Sequence, residues 1–452
     1  MSEPIAYGID FGTTNSSIAI AYPDRTEVVS VDPQSSTPEC LRSIVYVHRD
    51  GDMKAGQAAV EQYFVTGAHR TSCSKCSLVE HVNGTHYTDC KQHRLRGGCH
   101  DARLISGIKS ELSHPHIGST HSWARDMSMS VLVSVILRHL KQAADNQCGR
   151  SIDRVVLGHP VVFAGAEGPD FDRLQEIALG KLRHAAALAG FSEVIPLEEP
   201  VAAVMDETIN QQIALEVDFG GGTFDAAMIR FSEDGGDVTG LKGVDIGGEH
   251  FDEALFSAKV APLLGLDEHY RGHDGKSKTL PHWFKNKVKS LSGFKHLMAD
   301  THVPGIFSEF LSYPGAEKLA QVRTILYGGF AYDFYGAIER AKVDLSAEMK
   351  ANISFRRASI EFDQEVDRAE FTALISPDLD RVEGKIWDCL AQACLEPDEV
   401  DVVLRTGGSS NIPAFVERLE KIFGQQKLKE QEAFTTVVQG LASYAREEWG
   451  NV

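Results

Sequence analysis

The chain has no long apolar run. Its most hydrophobic helix-like stretch, MSVLVSVILRHL from Met129, is interrupted by Ser130, Ser134 and Arg138 and is too short to span a bilayer. The N-terminus, MSEPIAYGID, lacks the basic stretch and apolar core of a secretory leader, so a soluble cytoplasmic protein is expected. Positive charge is also scarce: 45 Lys and Arg stand against 64 Asp and Glu, a net charge of −19. That balance argues against nucleic acid or an anionic membrane as the main partner. In a reducing compartment the eight cysteines are expected as thiols or metal ligands, not disulfides. Two common phosphate motifs are missing. GIKS at 107–110 lacks the adjacent Gly-Lys of a P-loop, and no G-x-G-x-x-G opens a helix after a strand.

What is present is a phrase said twice. IDFGTTNSS at 9–17 and VDFGGGTFD at 217–225 put Asp10 and Asp218 at matching points, 218 − 10 = 208 residues apart. A chain of 452 residues exceeds one ordinary core, so two lobes of roughly 200 residues fit both length and repeat. Apolar alternation on either side of each phrase predicts a hairpin. DRVVLGHPVVF, then FDRLQEIALGKLRHAAALAGF, then EVIPLEEP read as strand, helix, strand, which implies a parallel sheet component. VVLRTGGSSNIPAFVERLEKIF repeats strand, loop and helix, and Thr435 to Trp449 reads as a helix returning to the first lobe. The expected division is residues 1–205 with 405–452 for the first lobe and 206–404 for the second, with peripheral subdomains at about 23–120 and 250–335. No low-complexity linker separates them, so close packing is expected.

Glycines 220, 221 and 222 leave bare amides on a turn, and consecutive N–H groups there form a concavity for an anion, with Thr223 adding a hydroxyl. Gly12, Thr13, Thr14 and Asn15 offer the same in the first phrase. A carboxylate beside a phosphate is repulsive, and magnesium reverses the sign. Asp10 and Asp218 are therefore expected to face one another across a cleft and hold a hydrated Mg²⁺ of a metal–nucleotide complex. Glu339, Lys342 and Ser346 fall at i, i+3 and i+7 of a helix and can reach a common ligand.

Further phrases narrow the choice. GIDFGTTNS at 8–16, LEEPVAA at 197–203, DFGGGTFD at 218–225, IGGEHFD at 246–252, ERAKVDLS at 339–346 and GGSSNIP at 407–413 resemble, in order, the nucleotide-binding domain of the 70-kDa heat-shock (DnaK-type) family. The pattern is most similar to its short bacterial members of the YegD type. The resemblance implies an α/β, actin-like ATPase (ribonuclease H-like, duplicated) fold with two lobes around a nucleotide cleft. It implies ATP or ADP with Mg²⁺ as ligands, slow hydrolysis by water, and an unidentified protein partner. It assigns Thr13, Thr14 and Thr223 to the phosphates, and Asp10, Glu199, Asp218 and Asp225 to the metal and attacking water. Gly247 and Gly248 join the nucleotide contacts; Glu339, Lys342 and Ser346 meet ribose and adenine; Gly407, Gly408 and Ser409 form the other wall. Lys109 in LISGIKSEL resembles the catalytic lysine, the other reading being a solvated helix lysine.

The departures are specific. Where the family sandwiches adenine between two arginines, this chain has Val343 and Asn411, which leaves a pseudo-ATPase scaffold as the alternative. A kinase of the hexokinase branch is a third reading, with no acceptor base that can be placed. The chain stops where the family's linker and peptide-binding domain would begin, so clamping by that domain is not expected. Within residues 69–100, Cys73, Cys76, Cys90 and Cys99 have C-x2-C-x13-C-x8-C spacing, with His86, His93 and His100 as substitutes. Zinc, a thiol-bearing loop and a redox switch stay open for them. From Tyr270 to His296 seven Lys or Arg meet one acid, Asp274: a solvated helix face or a dock for an acidic partner. His159 reads as a strand-end residue, and Cys389 with Cys394 as part of a helix core.

Overall fold

The computed structural model describes residues 2–33, 35, 37–48, 50–63, 65, 79–82, 85–88, 102–114, 119–122, 125–166, 168–203, 205, 212–232, 235–300, 302–328, 330–430 and 435–450. Two sheets organise it. In the first, the strands Glu193–Glu198, Arg154–His159, Ala6–Phe11, Asn15–Ala21 and Thr26–Val28 lie side by side in that order. In the second, the order is Gly235–Val244, Phe224–Ser232, Ile213–Phe219, Val402–Thr406 and Leu428–Glu430. Each is built on a glycine-turn hairpin whose first strand has a parallel neighbour on its other side. Asp10 pairs with Ser17 and Tyr7 with Val155; Asp218 pairs with Asp225 and with Thr406.

Strand pleating then sorts the side chains. Tyr7, Ile9 and Phe11 are buried with the helices Met129–Cys148 and Phe171–Ala189. Ala6 packs on the opposite face against Leu441 and Ala442 of the helix Thr436–Trp449. Main chains meet there: a Cβ on Gly8 would lie 2.8 Å from that of Leu441, and one on Gly440 would collide with the Ala202 backbone. In the second sheet Leu215, Val217 and Phe219 enter the larger core, while Ala214 packs on the other face with Ala227 and Leu404. Alternation at period two therefore puts Asp10, Glu216 and Asp218 opposite the bulky residues of their strands. Phe219 meets Phe224, Phe251 and Phe415 edge-on, at centroid distances of 5.3, 5.7 and 5.0 Å, so the second glycine turn hangs from a close-packed base.

The interrupted apolar stretch is a core helix. Ser130 donates to Lys181 O at 3.0 Å and Ser134 to Val131 O at 2.7 Å, which satisfies both hydroxyls. Among the described residues no helix is long and apolar enough to cross a membrane.

Three expectations need correcting. Residues 405–430 do not lie with the first sheet: Val402–Thr406 pairs with Ile213–Phe219, and Phe415 and Leu419 join the second core, because Pro413–Phe423 presents its apolar stripe there. Among the described residues after 405, it is Thr436–Trp449 that returns to the first sheet. The basic stretch is not one helix face; it runs through the strands Tyr270–Arg271 and Ser277–Lys278 into the helices His282–Val288 and Leu291–Ala299, and Lys278 and Lys285 pair with Glu309 and Asp267. Cys389 is buried, but Cys394 is an exposed left-handed cap with φ 56° that ends the helix Arg368–Ala393.

Candidate functional site

The two glycine turns face each other. A Cβ on Gly221 would lie 2.9 Å from Thr14 Oγ1, and one on Gly222 3.0 Å from Thr13 Oγ1. Both turns line one cleft of about 410 Å³, within the range of small-molecule sites. Gly12, Asn15, Gly220 and Thr223 line it with them, as do the buried Lys109 and Glu199 and the half-buried Asp10 and Asp218. Gly248 and the helix residues Glu339, Lys342 and Ser346 form one flank; Gly407, Gly408 and Ser409 form another. Gly247 and Asp225 stand just behind this lining. A Cβ on Gly247 would collide with the Gly221 carbonyl, so only glycine passes there.

The second turn is held from behind through its carbonyls. Gly248 N and Ser409 Oγ donate to Gly220 O at 3.1 and 2.8 Å, and Glu249 N donates to Gly221 O at 2.8 Å. Carbonyl and amide of a trans peptide point opposite ways, so the N–H groups of Gly221 and Gly222 point away from this backing.

The buried charges are one-sided. Lys109 Nζ lies 2.6 Å from Glu199 Oε1. Burial works against the lysine's charge, but Glu199, Asp10 and Asp218 outweigh it and raise its pKa. Burial pushes Asp10 up to about 8, with Glu199 and Asp218 adding and Lys109 opposing. Burial and Glu199 push Asp218 up to about 7 against Lys109 and a hydrogen bond from Thr406. Asp225 is raised well above the carboxylate range by burial, Asp218 and Glu199; its Oδ1 accepts from Val161 N at 3.0 Å. Its Oδ2 has no partner among the described residues. Carboxyls crowded on one ammonium, with an orphaned oxygen among them, are a donor set that a divalent cation would neutralise. No three ligands among the described residues close on one point, and a magnesium ion that keeps its waters needs no such closure.

Sequence reasoning passed over Glu216. It is fully buried two residues before Asp218, accepts from Thr406 Oγ1 at 2.7 Å through Oε1, and has no partner for Oε2 among the described residues. An acid inside the apolar run ALEVDF is the signal that could have found it. Lys109 is not a solvated helix lysine: it opens a 3-10 turn, Lys109–Glu111, after Gly107 at φ +64°, and is buried. Val343 lines the cleft with 60% of its surface exposed, and Asn411 lines it too.

A smaller chamber of about 130 Å³ adjoins the cleft and shares Thr13, Thr14, Gly221, Glu339 and Lys342 with it. Across it Arg42 Nη1 donates to Tyr332 OH at 2.7 Å. Nearby, Ser292 Oγ donates to Glu111 Oε1 at 2.5 Å. Lys342 Nζ holds Asp252 Oδ2 at 2.8 Å. Cys73, Cys76, Cys90 and Cys99, with His93 and His100, lie outside the described residues.

Residues 6–262 and 333–446 match the family model described as Hsp70 protein. The chain is 23% identical over 438 residues to the chaperone protein DnaK of Mycoplasmopsis pulmonis, covering 94% of this chain and 55% of that one. It is 22% identical over 449 residues to the protein of the same name from Thermosipho melanesiensis, covering 97% and 58%. For that of Thermus thermophilus the figures are 22% over 465 residues, 99% and 61%. The chain thus spans little more than half the length of these relatives. Duplicated sheets, a shared cleft and a family match over most of the sequence lead to one conclusion: the chain belongs to the Hsp70 family and has its actin-like ATPase fold.

Proposed function

We propose that this protein binds Mg-ATP and Mg-ADP in the cleft between its two glycine turns, and that it is a chaperone-type ATPase which hydrolyses ATP slowly. The observation that carries the reading is the meeting of Thr13 and Thr14 with Gly221 and Gly222 beside Asp10, Asp218 and the buried pair Lys109 and Glu199. The hydroxyls of Thr13, Thr14 and Thr223 and the amides of the turns bind and orient the phosphates. When bound, magnesium supplies the positive charge that Asp10 and Asp218 lack. Lys109 offers its ammonium to charge developing on the terminal phosphate, and Glu199 keeps that ammonium in place. Asp225 and Glu199 orient the attacking water, so no covalent enzyme intermediate forms.

Closure of the lobes on nucleotide would be the output, passed to an unidentified protein partner in the cytoplasm, with neither nucleic acid nor membrane involved. The likeness to short YegD-type members belongs to this proposal and rests on the motif set with Val343 and Asn411. The same two residues favour a second reading, a scaffold that binds nucleotide without turnover. Calorimetric titration of Mg-ATP into wild type and Asp218→Ala tests binding: equal heats, or none, reject it. Phosphate release without an added acceptor then separates ATPase from scaffold.

A further inference from the structure

We infer that the Ser110 hydroxyl takes an oxygen of the terminal phosphate and lets this cleft tell a nucleoside triphosphate from a diphosphate. The inference rests on the nucleotide reading above and adds to it a residue outside the matched motifs. Ser110 is the middle residue of the 3-10 turn Lys109–Glu111. Its Oγ is buried and has no hydrogen-bond partner among the described residues. A hydroxyl withdrawn from water with nothing to donate to is costly, so one beside a binding cleft points to a ligand that completes it.

Its surroundings name the ligand. A Cβ on Gly222 would lie 3.6 Å from Ser110 Oγ and 3.0 Å from Thr13 Oγ1, so both hydroxyls converge on one point at the second glycine turn. Lys109, the residue before, brings its ammonium to the same cleft. Two hydroxyls and an ammonium around the bare amides of a glycine turn are all able to donate, which suits a phosphoryl group. Ser110 adjoins the lysine that faces the terminal phosphate, so its bond falls on that phosphate and not on the inner two.

The turn is pinned on both sides of Ser110. Lys109 Nζ donates to Glu199 Oε1 at 2.6 Å. Glu111 Oε1 accepts at 2.5 Å from Ser292 Oγ on the helix Leu291–Ala299, whose Phe294 and Leu297 belong to the core of the second sheet. The backbone under the hydroxyl is thus held by protein contacts, and a bond to phosphate costs little further ordering. A diphosphate leaves Ser110 unpartnered, and a triphosphate satisfies it.

The test is calorimetric titration of the whole chain with Mg-ADP and with the non-hydrolysed triphosphate analogue Mg-AMP-PNP. Ser110→Ala should lower affinity for the analogue about tenfold, the worth of one charge-assisted hydrogen bond, and leave Mg-ADP affinity unchanged. Both ligands are read on one preparation, so their ratio does not depend on how much of the variant is folded. Because the substitution removes an unpartnered buried hydroxyl, the Tm of Ser110→Ala should equal or exceed that of wild type. A lower Tm would mean that the hydroxyl is bonded within the fold, and would count against the inference. An affinity ratio unchanged in Ser110→Ala, whether both affinities hold or both fall, overturns it and leaves nucleotide binding standing. If wild type binds neither ligand, nucleotide binding falls and this inference with it.

Discussion

Lys109 Nζ lies 2.6 Å from Glu199 Oε1 with both side chains buried, tying the 3-10 turn Lys109–Glu111 to the one-turn helix Glu199–Ala202 that follows the edge strand Glu193–Glu198 of the first sheet. Removing one member of such a pair leaves an uncompensated buried charge and costs about 3–5 kcal/mol. Lys109→Ala should therefore lower the urea midpoint sharply and remove phosphate release. Lys109→Met combined with Glu199→Gln should recover most of the stability and none of the turnover. Turnover unchanged in Lys109→Ala would dismiss the lysine from the chemistry.

Glycine is required where the two turns meet, and this can be measured. Gly247→Ala drives a methyl into the Gly221 carbonyl, and Gly221→Ala drives one to 2.9 Å from Thr14 Oγ1. Both should lose nucleotide binding. Gly384→Ala, in the helix Arg368–Ala393 with nothing within 4 Å, is the control. It should bind as wild type does and gain up to about 1 kcal/mol from helix propensity.

Arg42 and Tyr332 close the small chamber beside the cleft, with the guanidinium 6.0 Å from the ring centroid. If that clasp limits opening, Arg42→Ala should release a fluorescent ADP analogue several-fold faster in stopped flow with its binding rate little changed. Release rates equal to wild type would mean that the clasp does not gate the cleft.

Asp252 gives a pH signature. Burial pushes its carboxyl up to about 6 from 3.8, against the opposing charge and hydrogen bond of Lys342. The folded group keeps its proton to higher pH than the unfolded one. Its contribution is thus fully present below about pH 4 and is lost as pH rises through about 6. Tm measured from pH 4 to 7 should fall less steeply in Asp252→Asn than in wild type; parallel profiles would refute the assignment.

The hairpins and their parallel neighbours were legible because the signal is local: alternation on either side of a glycine turn, written twice. The register of the two phrases matches Asp10 with Asp218, and Thr13 and Thr14 with Gly221 and Gly222. Glu216 was not legible, since an acid in an apolar strand reads as a residue facing water until the neighbouring strand covers it. Arg405 was hidden for the same reason: it is buried because the 3-10 turn Gly408–Asn411 folds back to accept its Nη1 hydrogen bonds at Ser410 O and Asn411 Oδ1. The boundary at 405 failed because Val402–Thr406 and Pro413–Phe423 choose their sheet through long-range pairing and burial, which sequence spacing does not encode.

The helix Thr436–Trp449 touches three things at once. Val437 lines the cleft, Ala442 rests on the strand that bears Asp10, and Gly440 presses on Ala202 beside Glu199. Fourteen residues of α-helix make a stiff rod about 20 Å long. A small tilt imposed at Val437 is therefore magnified at Glu447 and Glu448, which stand in solvent at the far end. If binding in the cleft tilts that rod, the stroke would surface at an acidic tip, readable from outside without the interior being opened.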